Sequence, residues 1–127
     1  MRERLFHTRD HEYLRLVADD VAEVGVGVYA VEALGGIVAV TLPRVGATVR
    51  AGDSIAAFES VKAACEVFAP ASGTITAINE RLLPHPELAN GDPTGAGWFF
   101  RLQLADMAEL AQLLDAEAYA RYLESAP

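Results

Sequence analysis

Apolar and polar positions alternate in short runs, separated by turn residues, through most of the chain. Residues 11–16 and 21–26 are apolar-rich and flank Asp19-Asp20, a pair suited to turns because Asp tolerates left-handed backbone and hydrogen-bonds locally. These two runs predict a β-hairpin. Residues 28–34 predict about two helical turns, and Gly35-Gly36 supplies the positive φ that ends a helix.

The centre of the chain has turn residues about every ten positions, at Gly46, Gly52-Asp53 and Ser72-Gly73. The short apolar stretches around them predict strands over residues 37–42, 54–60, 66–69 and 74–78. This spacing favours a small sandwich or barrel. Lys62 therefore falls in the turn of a predicted hairpin.

The last part of the chain changes its period. Residues 79–97 contain three prolines and several glycines and predict a loop, and a last strand follows over residues 98–104. Asp106 and Glu109 have the spacing of a helix capping box. Apolar residues then recur at helical spacing and predict a helix packed on the β core: Met107, Leu110, Leu113, Leu114, Tyr119, Tyr122 and Leu123.

Length and composition predict one compact domain over residues 1–127, because 127 residues with 52% hydrophobic content form one modest core. The net charge of −8 opposes binding to nucleic acid or an acidic membrane, since such affinity depends on basic side chains. No apolar run approaches the roughly 20 residues that span a bilayer, and residues 1–10 lack a signal-peptide core. We therefore expect a soluble, cytoplasmic monomer whose partners offer basic surfaces.

Few side chains indicate chemistry by themselves. Cys65 is the single cysteine and has no positive neighbour that would activate its thiol, and Ser60 lacks the G-x-S-x-G turn of serine hydrolases. No C-x-x-C motif accompanies the three histidines, so no metal site is predicted. Taken alone, an exposed lysine such as Lys62 is ordinarily solvated surface.

The sequence around this lysine nevertheless resembles the H protein of the glycine cleavage system. The matching acceptor motif consists of Glu59, Ser60, Val61, Lys62 and Ala63. The resemblance continues through Ala69-Pro70, Pro86-Glu87-Leu88 and Gly97-Trp98 and backward to His11-Glu12-Tyr13, so it covers nearly the whole chain. Related carriers differ at the acceptor: Asp-Lys-Ala is typical of the lipoyl domains of 2-oxo acid dehydrogenases, and Met-Lys-Met of biotinyl carriers.

The resemblance implies a mainly β fold with α (α+β), a hybrid barrel-sandwich lipoyl/biotinyl-carrier-like (hammerhead) domain with short helices and a C-terminal helical segment. It also implies a lipoyl group on Lys62, added by a lipoate ligase or a lipoyl/octanoyl transferase. Such a carrier is not an enzyme. It shuttles the aminomethyl intermediate of glycine between glycine decarboxylase, aminomethyltransferase and dihydrolipoyl dehydrogenase, on an arm that reaches about 14 Å.

Roles are expected for three glutamates, two from their place beside the predicted hairpin and one, Glu12, from the resemblance. Glu59 and Glu66 flank the predicted hairpin and are expected to present Lys62 to the modifying enzyme. A carboxylate at the position of Glu12 is expected to contact the amine of the aminomethyl group. The alternative interpretation of Glu12 is a solvated residue on an edge strand.

Three other interpretations remain open at this point. Residues 25–30 fit the G-x-G-x-x-A dinucleotide fingerprint, although the helix after them is short and no acidic residue lies between Gly35 and Gly52. The chain could be a paralogue that relays lipoate to 2-oxo acid dehydrogenases or serves a redox-response pathway, because Gly27-Val28 and Ala30-Val31 stand where the family usually has polar residues. It could also be an unmodified binding protein that retains only the fold.

Overall fold

The computed structural model describes residues 4–125, most of which lie in strands or short helices. The strands are β1 (Leu5–His7), β2 (Glu12–Leu16), β3 (Val21–Val26), β4 (Ile37–Thr41), β5 (Thr48–Val49), β6 (Ser54–Ser60), β7 (Ala64–Phe68), β8 (Gly73–Ile78) and β9 (Phe100–Leu104). The helices are α1 (Val28–Ala33), α2 (Leu88–Gly91) and α3 (Ala116–Ser125), with 3-10 turns at Glu80–Leu82 and Met107–Gln112. Residues 1–3, part of the predicted domain and of the segment without a signal-peptide core, lie outside the described residues, as do residues 126–127.

The strands form two open sheets. One sheet has six strands in the order β1-β2-β3-β9-β8-β5, and the other has three in the order β4-β6-β7. The turn spacing allowed a small sandwich or a barrel. Neither sheet closes into a barrel, and the structure has two open sheets instead. The expected class, mainly β with short helices, is confirmed. No helix within residues 4–125 is long and apolar enough to cross a membrane.

Both sheets contribute to one hydrophobic core because each strand turns alternate side chains to the same side. Leu14, Val24 and Leu102 come from the larger sheet and are fully buried. Phe58 comes from the smaller sheet and meets Phe99 edge to face, with ring centroids 6.4 Å apart. Burial of one such side chain contributes about 1.5–3 kcal/mol, so a core of this size fixes how the sheets stand to each other.

The main hairpins lie where the sequence pattern places them. The β2–β3 hairpin, helix α1 and strand β4 are confirmed, and Lys62 lies in the turn between β6 and β7. Strand β7 begins at Ala64, two residues earlier than predicted. Gly35 and Gly36 have φ of 80° and 105°, the left-handed geometry expected at the end of α1.

The shortest elements were missed by the sequence pattern. Strand β1 has three residues and β5 has two, which is too few for a period of two to be recognised. Residues 79–97 were predicted as a loop, but they contain the 3-10 turn at Glu80–Leu82 and helix α2. These elements are held by tertiary contacts: β1 pairs with β2, and Leu82 and Ala89 are buried in the common core.

The C-terminal part differs from the single capped helix that was predicted. The Asp106 carboxylate does accept a hydrogen bond from the Ala108 amide at 3.0 Å. Glu109, however, does not close the capping box: its carboxylate accepts from the amide and the hydroxyl of Ser72, at 2.6 and 2.9 Å. The chain therefore makes a 3-10 turn first and begins α3 only at Ala116. The predicted packing on the core is confirmed by the burial of Leu110 and Tyr119.

Candidate functional site

Lys62 stands at the tip of the β6–β7 hairpin, and the tip is closed by Ser60. The amide and the hydroxyl of Ser60 both donate to the Ala63 carbonyl, at 2.7 and 2.8 Å, and the Ala63 amide donates back to the Ser60 hydroxyl at 2.9 Å. Ser60 is buried, whereas Val61 and Lys62 are exposed. The turn is thus fixed at Ser60 and Ala63, and it exposes the side chains of Val61 and Lys62 to solvent.

The end of helix α1 supports this tip from one side. The Val61 amide donates to the Gly36 carbonyl at 3.1 Å, and the Lys62 Nζ atom donates to the Ala33 carbonyl at 3.2 Å. A Cβ atom on Gly35 would lie only 3.3 Å from the Val61 Cβ atom. The glycine therefore allows the helix end and the tip to approach closely.

Asn90 of helix α2 supports the tip from below. Its Oδ1 atom accepts from the Ile37 amide at 2.7 Å, and its Nδ2 atom donates to the Ile37 carbonyl at 3.0 Å. Ile37 is in turn the β4 partner of Ser60. The Asn90 side chain therefore satisfies both backbone groups of Ile37, as a neighbouring strand would, beside the base of the hairpin tip.

A cleft of about 220 Å³ opens beside the lysine. Its apolar wall comes from α1 and the hairpin and includes Ala33, Leu34, Phe58 and Cys65. Three carboxylates border it: Asp10, Glu12 and Glu66. Because Ala33 both lines the cleft and holds the Lys62 ammonium, the lysine lies directly at the cleft's edge. The site combines a nucleophilic amine with a mostly apolar, acid-rimmed cavity.

Glu12 is the buried carboxylate of this cleft. It is 3% exposed, and its Oε2 atom accepts from the Phe68 amide at 2.6 Å while its Oε1 atom accepts from the Thr8 hydroxyl at 3.1 Å. Burial raises the pKa of Glu12 to about 7, despite these two hydrogen bonds, which favour the charged form. The interpretation of Glu12 as a solvated residue on an edge strand is wrong, since β1 pairs outside β2.

The two glutamates of the hairpin are exposed, in contrast to Glu12. Glu59 lies opposite Ala64, and Glu66 lies opposite Ala57 with its Oε1 atom accepting from the Ser54 hydroxyl at 2.8 Å. Both carboxylates stand on the outer face of the smaller sheet, one on each strand of the hairpin. Glu59 and Glu66 thus flank the hairpin tip that carries Lys62.

Three features of the site were not foreseen. The sequence pattern assigned no role to Asn90, Thr8 or Tyr29. The cleft joins residues from the β1–β2 turn, α1 and the hairpin, which are distant in sequence. Lys62 is also the only lysine among the 127 residues of the sequence.

The geometry of the glycines contradicts a dinucleotide-binding turn. A Cβ atom on Gly25 would lie 2.8 Å from the ring of Tyr13, and the Gly27 amide already donates to the His11 carbonyl at 2.8 Å. Helix α1 has six residues. Gly25 therefore allows close packing against Tyr13. The Gly27 amide is already hydrogen-bonded and is not available to bind a phosphate. Within residues 4–125, no group of three or more His, Cys, Asp or Glu side chains could hold a metal ion.

Comparison with known proteins agrees with this geometry. Residues 5–126 match the family model of the glycine cleavage H-protein. The H protein of Cronobacter sakazakii is 50% identical over 94% of this chain and 93% of its own length, and that of Aeromonas hydrophila is 52% identical over 91% and 89%. The crystal structure of a glycine cleavage system H protein from Mycobacterium marinum superposes with a TM-score of 0.87 at 36% identity, over 98% of this chain and 99% of that one.

The raised pKa of Glu12 predicts a specific dependence of stability on pH. A carboxyl whose pKa rises on folding stabilises the fold below its unfolded pKa of about 4.5, and this contribution is lost as the pH rises through about 7. Relative to Glu12→Gln, the wild-type protein should therefore lose about 3 kcal/mol of unfolding free energy between pH 4.5 and 7.5. Urea denaturation across this range measures the difference. Glu59→Gln controls for the loss of one charge, and parallel curves for wild type and Glu12→Gln would contradict the prediction.

Proposed function

Because the chain belongs to the glycine cleavage H-protein family, we propose that it is a non-catalytic carrier with a lipoyl group in amide linkage to Lys62. The observation that carries the proposal is the position of the only lysine, exposed on a closed hairpin tip and at the edge of an apolar cleft. A lipoate ligase or a lipoyl/octanoyl transferase would form the amide. Glu59, Ser60, Val61 and Ala63 complete the modification motif around the lysine.

The carrier is proposed to serve glycine decarboxylase, aminomethyltransferase and dihydrolipoyl dehydrogenase in turn. The lipoyl dithiolane supplies the sulfur chemistry that accepts and releases the aminomethyl group of glycine. The chain's own contribution is geometric: a rigid anchor sets the origin of an arm that reaches about 14 Å, far enough to enter partner active sites. The exposed acids and the net charge of −8 favour basic partner surfaces.

The cleft is proposed to shelter the loaded end of the arm between partners. Its volume of about 220 Å³ equals the liquid volume of about seven waters, and its wall of Ala33, Leu34, Phe58 and Cys65 favours an apolar occupant. Asp10, Glu12 and Glu66 give the rim a negative charge that suits a protonated amine. Exclusion of water at this place would slow the hydrolytic loss of the aminomethyl group.

A second candidate is a paralogue that relays lipoate to 2-oxo acid dehydrogenases or acts in a redox-response pathway. Val28, at a position where the family usually has a polar residue, is 47% exposed, and Tyr29, which lines the cleft, is 40% exposed. Reconstitution of glycine cleavage with the lipoylated protein separates the two candidates. Turnover of glycine supports the first, and lipoate transfer without glycine turnover supports the second.

The chain is further proposed to act as one domain and a monomer in the cytoplasm. Both sheets share a single hydrophobic core, and no described segment separates it into parts that could fold alone. Light scattering together with a single unfolding transition tests the first two points, and cell fractionation tests the third.

Removal of the single lysine predicts complete loss of lipoylation. Lys62→Arg keeps the positive charge, but a guanidinium is not acylated by the same route, and the fold should be retained because the side chain is exposed. Intact mass after co-expression with a lipoate ligase should show the lipoyl mass on wild type and none on the variant. A lipoylated Lys62→Arg protein, with the adduct mapped to another residue, would refute the assignment.

Recognition by the modifying enzyme should depend on the two exposed hairpin glutamates. Glu59→Gln and Glu66→Gln should each slow lipoylation several-fold, and each should change the unfolding free energy by less than about 1 kcal/mol, as exposed charges usually do. Initial rates of lipoylation and melting curves provide the comparison. Glu80→Gln, an exposed glutamate on another segment, is the matched control. Unchanged rates with a large loss of stability would assign these glutamates to the fold instead.

Glu12 should lengthen the lifetime of the aminomethyl cargo. A charge-assisted hydrogen bond to the amine would be lost in Glu12→Gln, so release of formaldehyde or ammonia should accelerate about tenfold when the transferase is absent. Glu59→Gln removes a carboxylate outside the cleft and controls for charge. Equal decay of the two loaded variants and the wild type, all folded, would show that Glu12 does not guard the cargo.

A further inference from the structure

His11 occupies an unusual backbone conformation at the mouth of the cleft. Its φ is 68°, and it is the only residue other than glycine with a positive φ within the described range 4–125. Histidine tolerates the left-handed region better than most residues, but the conformation persists only where several contacts hold it. His11 lies in the turn between β1 and β2, directly before Glu12, and lines the cleft.

One of these contacts reaches the C-terminal helix. The Nδ1 atom of His11 and the hydroxyl of Tyr119 are hydrogen-bonded at 2.8 Å, across 108 residues of sequence. Burial lowers the pKa of His11, so its ring is neutral at neutral pH and pairs with a phenol hydroxyl without a charge. Helix α3 is thereby joined to the β1–β2 turn, to which the Tyr122 hydroxyl also donates, at the Arg9 carbonyl at 3.2 Å.

Tyr119 is itself firmly placed. Its ring stacks on His7 with centroids 3.9 Å apart and planes 2° apart, and the residue is 8% exposed. The segment before α3 is bonded to β1, because the His7 amide donates to the Leu114 carbonyl at 2.7 Å and the Leu114 amide donates back at 2.9 Å. The hydroxyl of Tyr119 is therefore a fixed point to which His11 is attached.

The other side of His11 faces helix α1. Its ring centroid lies 4.5 Å from that of Tyr29, which lines the cleft, and its carbonyl accepts from the Gly27 amide at 2.8 Å. His11 thus contacts the turn, α1 and α3 at once. Without the contact to α3, His11 would be held to α1 only by the Gly27 amide and the Tyr29 ring.

We propose that His11 is a positioning residue and that its hydrogen bond to Tyr119 makes helix α3 a clamp on the mouth of the arm cleft. The clamp holds the segment Asp10–Glu12 against α1, so that Glu12 stays buried and the cleft stays narrow. The inference rests on the proposed function in one respect, that the occupant of the cleft is the lipoyl arm. The clamp itself is a property of the unmodified chain.

The single cysteine provides a direct probe of the clamp. Cys65 lines the cleft on the wall formed by β7 and also borders a groove on the smaller sheet, so the part of its alkylation rate that changes when the clamp is removed reports on the cleft. In the full-length protein without lipoate, Tyr119→Phe should raise the alkylation rate of Cys65 about fivefold, the opening expected from the loss of one neutral hydrogen bond. The phenyl ring keeps the stack on His7, so the melting midpoint should change little.

The matched control removes a hydroxyl from the same helix. The Tyr122 hydroxyl donates to the Arg9 carbonyl at 3.2 Å, an exposed bond to the turn outside the cleft, so Tyr122→Phe should raise the alkylation rate less than Tyr119→Phe. His11→Asn tolerates the left-handed conformation but is too short to reach Tyr119, and it should match Tyr119→Phe. Its effect separates loss of the hydrogen bond from loss of the tyrosine.

Two outcomes would overturn the proposal: wild-type alkylation rates in both Tyr119→Phe and His11→Asn, or equal acceleration in Tyr119→Phe and Tyr122→Phe in proportion to lost global stability. The intact mass of the protein after co-expression with a lipoate ligase is measured in a separate experiment and tests the proposed function. Absence of lipoate from Lys62 refutes the proposed function and leaves the alkylation result standing, whereas lipoylation with unchanged alkylation refutes only the clamp.

Discussion

The hydrogen bond from the Phe68 amide to Glu12 joins the two sheets at the place where the site is built. Glu12 belongs to β2 of the larger sheet, and Phe68 ends β7 of the smaller one. An apolar residue at position 12 would leave this amide without its acceptor, which costs about 1–3 kcal/mol. A carboxyl satisfies the amide, but its burial raises the pKa of Glu12 toward neutrality. The interaction that attaches the hairpin to the fold thus also places an ionisable group at the cleft.

Rigidity at the tip comes from backbone pairing and not from the exposed residues themselves. Asn90 bonds both polar groups of Ile37, Ile37 pairs with Ser60, and Ser60 closes the turn on Ala63. Each step uses a group that is partly or fully buried and satisfied. Val61 and Lys62 contribute to the fold only through their contacts to the end of α1. Their exposed side chains are therefore accessible to other proteins.

The sequence pattern predicted the elements that are long enough to show a period. Strands β3, β6 and β8 and the hairpin that carries Lys62 follow from apolar alternation and turn residues, and the acceptor motif located the site. The pattern could not reveal β1 or β5, which have three and two residues, nor the role of Glu109, whose carboxylate is used by Ser72 and not by its own helix. The cleft was equally invisible, because residues such as His11, Tyr29 and Cys65 meet only after the sheets have formed.

Under the proposed function, the closed tip has a consequence for the competition between the cleft and the partner enzymes for a lipoyl arm on Lys62. An arm fixed at one end on a rigid base keeps its free end within a small volume. The effective concentration of that free end near the cleft is therefore about millimolar or more. Weak intrinsic affinity is then sufficient for the cleft to be occupied most of the time. The same weakness means that a docked partner, which shares the small volume, displaces the cleft without breaking any strong contact. Retention and release thus depend on tether geometry more than on binding strength.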